Sequence, residues 1–384
     1  MTPADYYSDR VATLSAEGNL RVIPRGDSSC RLVDLSSNDY LGLAARENLR
    51  REFFARPEAT QLSLTSSASR LLAAGQTPYT TLEDTLSRLY RRPALLFNSG
   101  YHANTGIVAA LGQAPRTLIV ADRLVHASII DGITLSRAPF TRFRHNDMAH
   151  LESILVKERH NYDRFLVITE SVFSMDGDSA DLEALIDLRE RHEGVMLYID
   201  EAHALGCCGS EGLGLAMDSP RRDNIDVIIG TFGKACASVG AFAAVSQELR
   251  EYLVNTSRSL IFSTALPPLN VAWTDFLMSR LTDFEPERRH LRELGEHLRD
   301  ILVPLGASAD LQPSHIQPLI VGDPHRAVAL SQALLERGFK ALPIRVPTVP
   351  RGTDRLRLSL SAALTHDDLD RFGSALSEVL ASTI

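Results

Sequence analysis

A lysine, a histidine, an aspartate and a threonine stand at the ends of two apolar runs that lie close together in the chain. The first run, residues 195–199, leads straight into Asp200-Glu201-Ala202-His203, and the second, residues 225–230, leads into Thr231-Phe232-Gly233-Lys234. Short apolar runs of this kind read as buried strands of an α/β sheet, where ligands sit outside the carboxyl ends of the strands. Asp200, His203, Thr231 and Lys234 would then share one rim.

Taken alone, a lysine on a glycine turn is a solvated charge. Beside a strand-end aspartate it gains another use, because a partly buried amine loses its proton more easily and can form a Schiff base. The aspartate can hold a ring nitrogen protonated, an ion pair of roughly 4 kcal/mol at an effective dielectric near 20, before desolvation. A protonated pyridine is what pyridoxal 5'-phosphate needs to act as an electron sink. Its phosphate has a candidate home at Ser99-Gly100-Tyr101, a strand-to-helix turn whose free N–H groups and helix dipole favour an anion, with the Thr231 hydroxyl in support. His126, opening a helix just after a strand that ends at Asp122, could stack on the ring. Each residue singly is more often a cap or a satisfied core group. The combination is the specific signal.

Other motifs fail on their own terms. Asp200-Glu201-Ala202-His203 spells the DEAH box of nucleic-acid helicases, but the phosphate loop such enzymes need is missing: Ala235 follows Gly233-Lys234, and Ile228 stands where its first glycine belongs. Gly209, Gly212 and Gly214 have the wrong spacing for a dinucleotide fingerprint and follow no strand directly. Zinc at His203, Cys207 and Cys208 is disfavoured by the adjacency of the two cysteines.

The elements that must position this rim alternate along the chain. Strands are expected at 94–97, 117–121, 140–143, 165–169, 195–199 and 225–230, with helices between them and a further strand over 240–245. This βαβα order predicts an α/β fold with a mainly parallel sheet between helices. After Pro267-Pro268 come helices over 271–281 and 286–305, strands over 316–321, 341–345 and 355–360, and helices from 327 and 366, which predicts a smaller C-terminal α+β domain. The expected division is an N-terminal arm over 1–38 without strong periodicity, a large cofactor-binding domain over 39–275 and a small domain over 276–384. A net charge of −8 argues against a broad nucleic-acid footprint. No apolar run reaches the ~20 residues of a membrane span, the first residues lack a signal-peptide pattern, and Cys30, Cys207, Cys208 and Cys236 form no spaced framework. A cytoplasmic protein is expected.

Seven segments together resemble the α-oxoamine synthases, fold-type I pyridoxal phosphate enzymes. They are the runs 35–43 (LSSNDYLGL), 97–101 (FNSGY), 122–128 (DRLVHAS), 173–178 (FSMDGD), 200–203 (DEAH), 231–234 (TFGK) and 262–268 (FSTALPP), in that order. Two further segments, 316–323 (IQPLIVGD) and 344–353 (IRVPTVPRGT) leading into 355–360 (RLRLSL), resemble members that condense L-alanine with a pimeloyl thioester in biotin synthesis more than relatives that use glycine or serine. The resemblance implies that Lys234 carries the cofactor and shuttles the α-proton, Asp200 pairs with the pyridinium, His203 bonds the ring oxygen, His126 stacks and Ser174 makes a polar contact. It assigns Gly100, Tyr101 and Thr231 to the phosphate, Asn38, Thr348 and Arg357 to the substrate, and Arg21 more weakly to the same. Strand alternation puts Arg355, Arg357 and Ser359 on one face, so the pattern does not choose between the arginines. Arg357 rests on the resemblance. A homodimer is implied, with residues 262–264 reaching the partner's phosphate, and coenzyme A or an acyl carrier protein bearing the acyl group.

The chain departs from that family in places. Ser and Ala replace a glycine-rich run before Ser69-Arg70-Leu71, Tyr79 stands for a usual histidine, Ala237-Ser238 lie near a common glycine, and Leu364 replaces a histidine. Side chains where relatives have glycine narrow a surface that a ligand can approach closely, which bears on the acyl chain accepted.

Overall fold

The protein is described by a computed structural model covering residues 3–23 and 32–382; Cys30 lies outside the described residues. Its contacts fall into two compact units. One comprises residues 41–174 and 178–288, the other residues 1–40, 175–177 and 289–384. These contact units divide the chain at 40/41 and 288/289, beside the domain boundaries expected at 38/39 and 275/276. The N-terminal segment clusters with the C-terminal residues, and residues 175–177 join them.

The first unit is built on seven strands: β1 Ala94–Phe97, β2 Thr117–Asp122, β3 Phe140–Phe143, β4 Arg164–Glu170, β5 Val195–Asp200, β6 Val227–Thr231 and β7 Ala241–Val245. Their order in the sheet is β1-β7-β6-β5-β4-β2-β3, and β7 alone runs antiparallel to its neighbours. Residues 225–226, expected in the second apolar run, precede β6, where Asp226 accepts from the Leu197 N–H and from Arg189. Helices cover both faces, which is why the strands read as unbroken apolar runs. Leu95, Phe97, Ile119, Ala121, Leu166, Ile168, Tyr198, Val227, Ile229, Ala241 and Ala243 alternate onto one face and pack with Ala103, Ile107 and Ile133 of the helices Gly100–Gly112 and Ala127–Ser136. Gly132 lets these helices touch: a Cβ there would stand 2.9 Å from the Asn104 carbonyl oxygen.

The second unit holds an antiparallel sheet of β8 Ile316–Ile320, β9 Leu342–Ile344 and β10 Arg355–Ser359, in the order β9-β10-β8. The helices Pro324–Glu336 and His366–Ser382 belong to it. The N-terminal segment is stitched on by backbone bonds: Val33–Asp34 pairs in parallel with Phe339–Lys340, and the Ser359 N–H donates to Leu35 O at 2.8 Å. Upstream of this the chain forms a helix, Pro3–Ala16, which the weak periodicity of the arm does not announce. Almost all of its described side chains are exposed.

Candidate active site

The carboxyl ends of β1, β5 and β6 carry the reactive groups. Asp200 is the last residue of β5 and is buried. Its carboxylate accepts from Asn104 Nδ2 at 2.8 Å and from the Ala202 N–H at 2.9 Å. Asn104 is itself fixed, donating to Ser128 Oγ at 2.9 Å and accepting from the Tyr198 hydroxyl at 2.6 Å. Lys234 follows the end of β6 by three residues and is half-buried, with Nζ 2.6 Å from Nε2 of the buried His203. Asp200, His203 and Lys234 thus share one rim of the sheet, as the strand ends imply.

Gly100 opens the helix after β1 and lies against Thr231: a Cβ on it would stand 3.5 Å from the Thr231 Cβ. Ser99 caps this helix, its Oγ accepting from the His102 N–H at 3.2 Å. The first-turn N–H groups of Gly100 and Tyr101 have no acceptor within the helix. The Thr231 hydroxyl donates to Gly240 O at 3.1 Å and accepts from the Gly233 N–H at 3.4 Å. The Tyr101 side chain turns away to Asp131, so only its backbone faces this cradle.

His126 caps its own helix, Nδ1 accepting from the Ser128 N–H at 3.2 Å, which leaves Nε2 the protonated nitrogen of the neutral ring. Its backbone N–H donates to Glu170 Oε1 at 2.6 Å. Partial burial holds its imidazole below the ordinary pKa, with the Asp200 charge opposing and the Lys234 charge adding to the shift. Ser174 is buried in the loop after β4.

Several contributors have only faint signals in the sequence. Glu170 ends β4 in register with Asp200 on β5, and its place at a strand end is the one clue. Burial, then the neighbouring Asp200 charge, push its carboxyl up to about 8. Asn104 and Tyr198 carry none beyond apolar-rich surroundings. Glu201, part of the DEAH letters, serves structure: buried and raised to about 7 by that burial, it accepts from Ser171 Oγ and from the Leu215 and Ala216 N–H groups.

The substrate candidates belong to the second unit, where they form two pairs. Arg357 on β10 donates to Asn38 Oδ1 at 3.3 Å, to Ser359 Oγ at 2.6 Å and to the Tyr40 hydroxyl at 3.4 Å. Arg21 donates to Thr348 Oγ1 at 2.8 Å. Arg355 is committed elsewhere: it forms an ion pair with Asp176 and donates to Thr353 O at 2.9 Å and Met175 O at 3.3 Å. The sequence pattern leaves Arg355 and Arg357 equivalent; their partners separate them.

The donor set fits pyridoxal phosphate. Lys234 offers an amine to its aldehyde, Asp200 a buried carboxyl group to its ring nitrogen, and the Gly100 turn first-turn N–H groups to its phosphate. The fold and this site together define a fold-type I pyridoxal-phosphate enzyme. Comparison with known proteins agrees. The aminotransferase class I and II family model matches residues 31–376. A Pasteurella multocida protein carrying the name "Putative 8-amino-7-oxononanoate synthase" is 48% identical over 385 residues, covering 97% of this chain and 99% of its own. Among solved structures, a serine palmitoyltransferase of S. paucimobilis with bound PLP–myriocin superposes with a TM-score of 0.87 at 27% identity, over 99% of this chain and 98% of that one. An 8-amino-7-oxononanoate synthase from Francisella tularensis gives 0.77 at 26% identity, over 93% and 100%. The chain belongs to the aminotransferase class I and II family, within its α-oxoamine synthases.

Proposed function

We propose that the protein condenses L-alanine with a pimeloyl thioester, releasing carbon dioxide and a free thiol and giving 8-amino-7-oxononanoate for biotin synthesis. The observation that carries this reading is near-full-length similarity, at 48% identity, to a relative bearing that enzyme's name. Pyridoxal phosphate, when bound, supplies an aldehyde for amine exchange and an electron sink for a carbanion at the α-carbon.

The residues then take these roles. Lys234 Nζ would hold the cofactor through its amine and would move the α-proton of alanine. Its neighbour His203 donates to the ring oxygen. Asp200, kept in place by Asn104, would pair with the ring nitrogen, and His126 would cover the ring with Ser174 beside it. The N–H groups of Gly100 and Tyr101, with the Thr231 hydroxyl, hold the phosphate. Arg357, with Asn38, takes the alanine carboxylate, the bidentate match suited to guanidinium. Arg21 and Thr348 bind the acyl part. The acyl group arrives on coenzyme A or on an acyl carrier protein, and the enzyme works in the cytoplasm as a homodimer. Phe262, 70% exposed on this chain, begins the segment that would reach the partner.

A second reading is a sibling α-oxoamine synthase, glycine C-acyltransferase-like, with another amino acid or acyl chain. The Ser and Ala residues before Arg70 favour it. Thiol release across a panel of amino acids and acyl thioesters separates the two. The first reading expects release from pimeloyl-coenzyme A that depends on L-alanine; equal or faster turnover of glycine with a short acyl thioester would replace it by the second.

A further inference from the structure

We propose that His145 is a positioning residue for the cofactor: clamped between Asp122 and Asp178, it fixes the two turns that present His126 and Ser174. Its ring nitrogens reach one carboxylate each, Nδ1 to Asp122 Oδ1 at 3.0 Å and Nε2 to Asp178 Oδ2 at 2.8 Å. Serving both acceptors requires both N–H groups, so the ring is an imidazolium. Burial opposes that charge, but the hydrogen bonds and charges of Asp122 and Asp178 prevail and raise its pKa to about 10. Phe173 packs edge-on against the ring, with 4.4 Å between ring centres.

The Asp122 carboxylate and the Asp178 backbone carbonyl also hold backbone. Asp122, wholly buried at the end of β2, accepts from the Leu124 N–H at 2.8 Å and from the Asn146 N–H at 2.9 Å. It thereby staples the turn that ends, two residues after Leu124, in His126. Asp178 accepts from Asn146 Nδ2 at 2.9 Å, and its carbonyl accepts from the Phe173 N–H at 2.9 Å. Ser174 is the next residue. The His145 ring is therefore the tie between the turn bearing His126 and the loop bearing Ser174. Without its charge the buried Asp122 carboxylate loses this ion-pair partner, and the two turns lose their common anchor. The mechanism gives His145 no chemistry; what it supplies is the relative placement of two groups assigned to the ring.

The inference rests on the cofactor assignment and not on the substrate reading, so its test uses no substrate. His145→Gln and Asp178→Asn proteins are titrated with pyridoxal phosphate, following visible absorbance and visible circular dichroism, and the melting of each is recorded without cofactor. The expected result for His145→Gln is cofactor binding weakened about tenfold or more, with a reduced dichroic band. Asp178→Asn, which keeps the ring's bond to Asp122, shifts both readouts the same way to a smaller extent. Lower melting with unchanged cofactor affinity and dichroism would reduce His145 to a purely structural role and overturn the proposal. Should His145→Gln fail to fold, Asp178→Asn decides by the same two readouts.

Discussion

At the scale of residues, the candidate chemistry is concentrated in groups held by close polar neighbours. The amine of Lys234 sits 2.6 Å from His203, and Asp200 is caged by Asn104 and a backbone N–H. Asp200, His203, Thr231 and Lys234 were legible because each closes or follows an apolar strand, and strand ends in α/β sheets face ligands. Asn104 was not, since an asparagine inside a helix has no distinguishing pattern until the helix is docked. Glu170 had a weak signal of the same strand-end kind. His145 gives the clearest pH effect. Its folded pKa, about 10, lies above the ordinary 6.5, so its contribution is full below pH 6.5 and is lost as pH rises through 10. That contribution is on the order of 3 kcal/mol after allowing for its partial exposure. Urea unfolding of the parent and of His145→Gln at pH 6 and pH 10.5 should show a gap that narrows at the higher pH. A gap independent of pH would contradict the charged clamp.

Among elements, the two departures from glycine that the sequence marks coincide with unusual backbone. Ser67 and Ala237 adopt φ of 53° and 41°, a region that disfavours side chains. Ala237 closes the turn after the lysine, its N–H on Lys234 O at 2.9 Å. Ala237→Gly should therefore stabilise the protein, by up to about 1 kcal/mol once the extra freedom of the unfolded glycine is counted. A loss of stability on calorimetry would mean that the Ala237 methyl packs better than its backbone strain costs. Tyr79 shows the opposite outcome for a departure: it is buried, its hydroxyl donates to Leu266 O, and Arg70 lies 4.6 Å over its ring, so the replacement has its own partners. On β10, alternation alone could not rank two arginines that share a face. With Arg355 tied to Asp176, Arg357→Lys should raise the KM for the amino acid about tenfold or more, since an ammonium cannot match a carboxylate in two places. Arg355→Lys should leave that KM nearly unchanged. Equal effects in steady-state kinetics would remove the distinction.

For the whole molecule, periodicity foretold the α/β class and most strands to within a residue or two, because both faces of the sheet are covered and each strand is a dense apolar run. It could not foretell the strand order or the antiparallel course of β7, which depend on pairings far apart in sequence. Nor did it show that residues 1–40 and 175–177 cluster with the C-terminal unit, where contacts such as Asp34 with Lys340 at 2.9 Å join residues more than 300 positions apart. Among the described residues no helix is long and apolar enough to cross a membrane. Structures of both a serine palmitoyltransferase and an 8-amino-7-oxononanoate synthase resemble this chain, so the choice of substrate separates the two readings. The decisive measurement is thiol release by the purified protein across paired amino acids and acyl thioesters, with Lys234→Ala as the control. Release is expected from pimeloyl-coenzyme A with L-alanine, little with glycine or serine, and none from Lys234→Ala. Faster turnover of glycine or serine with another acyl chain would contradict it.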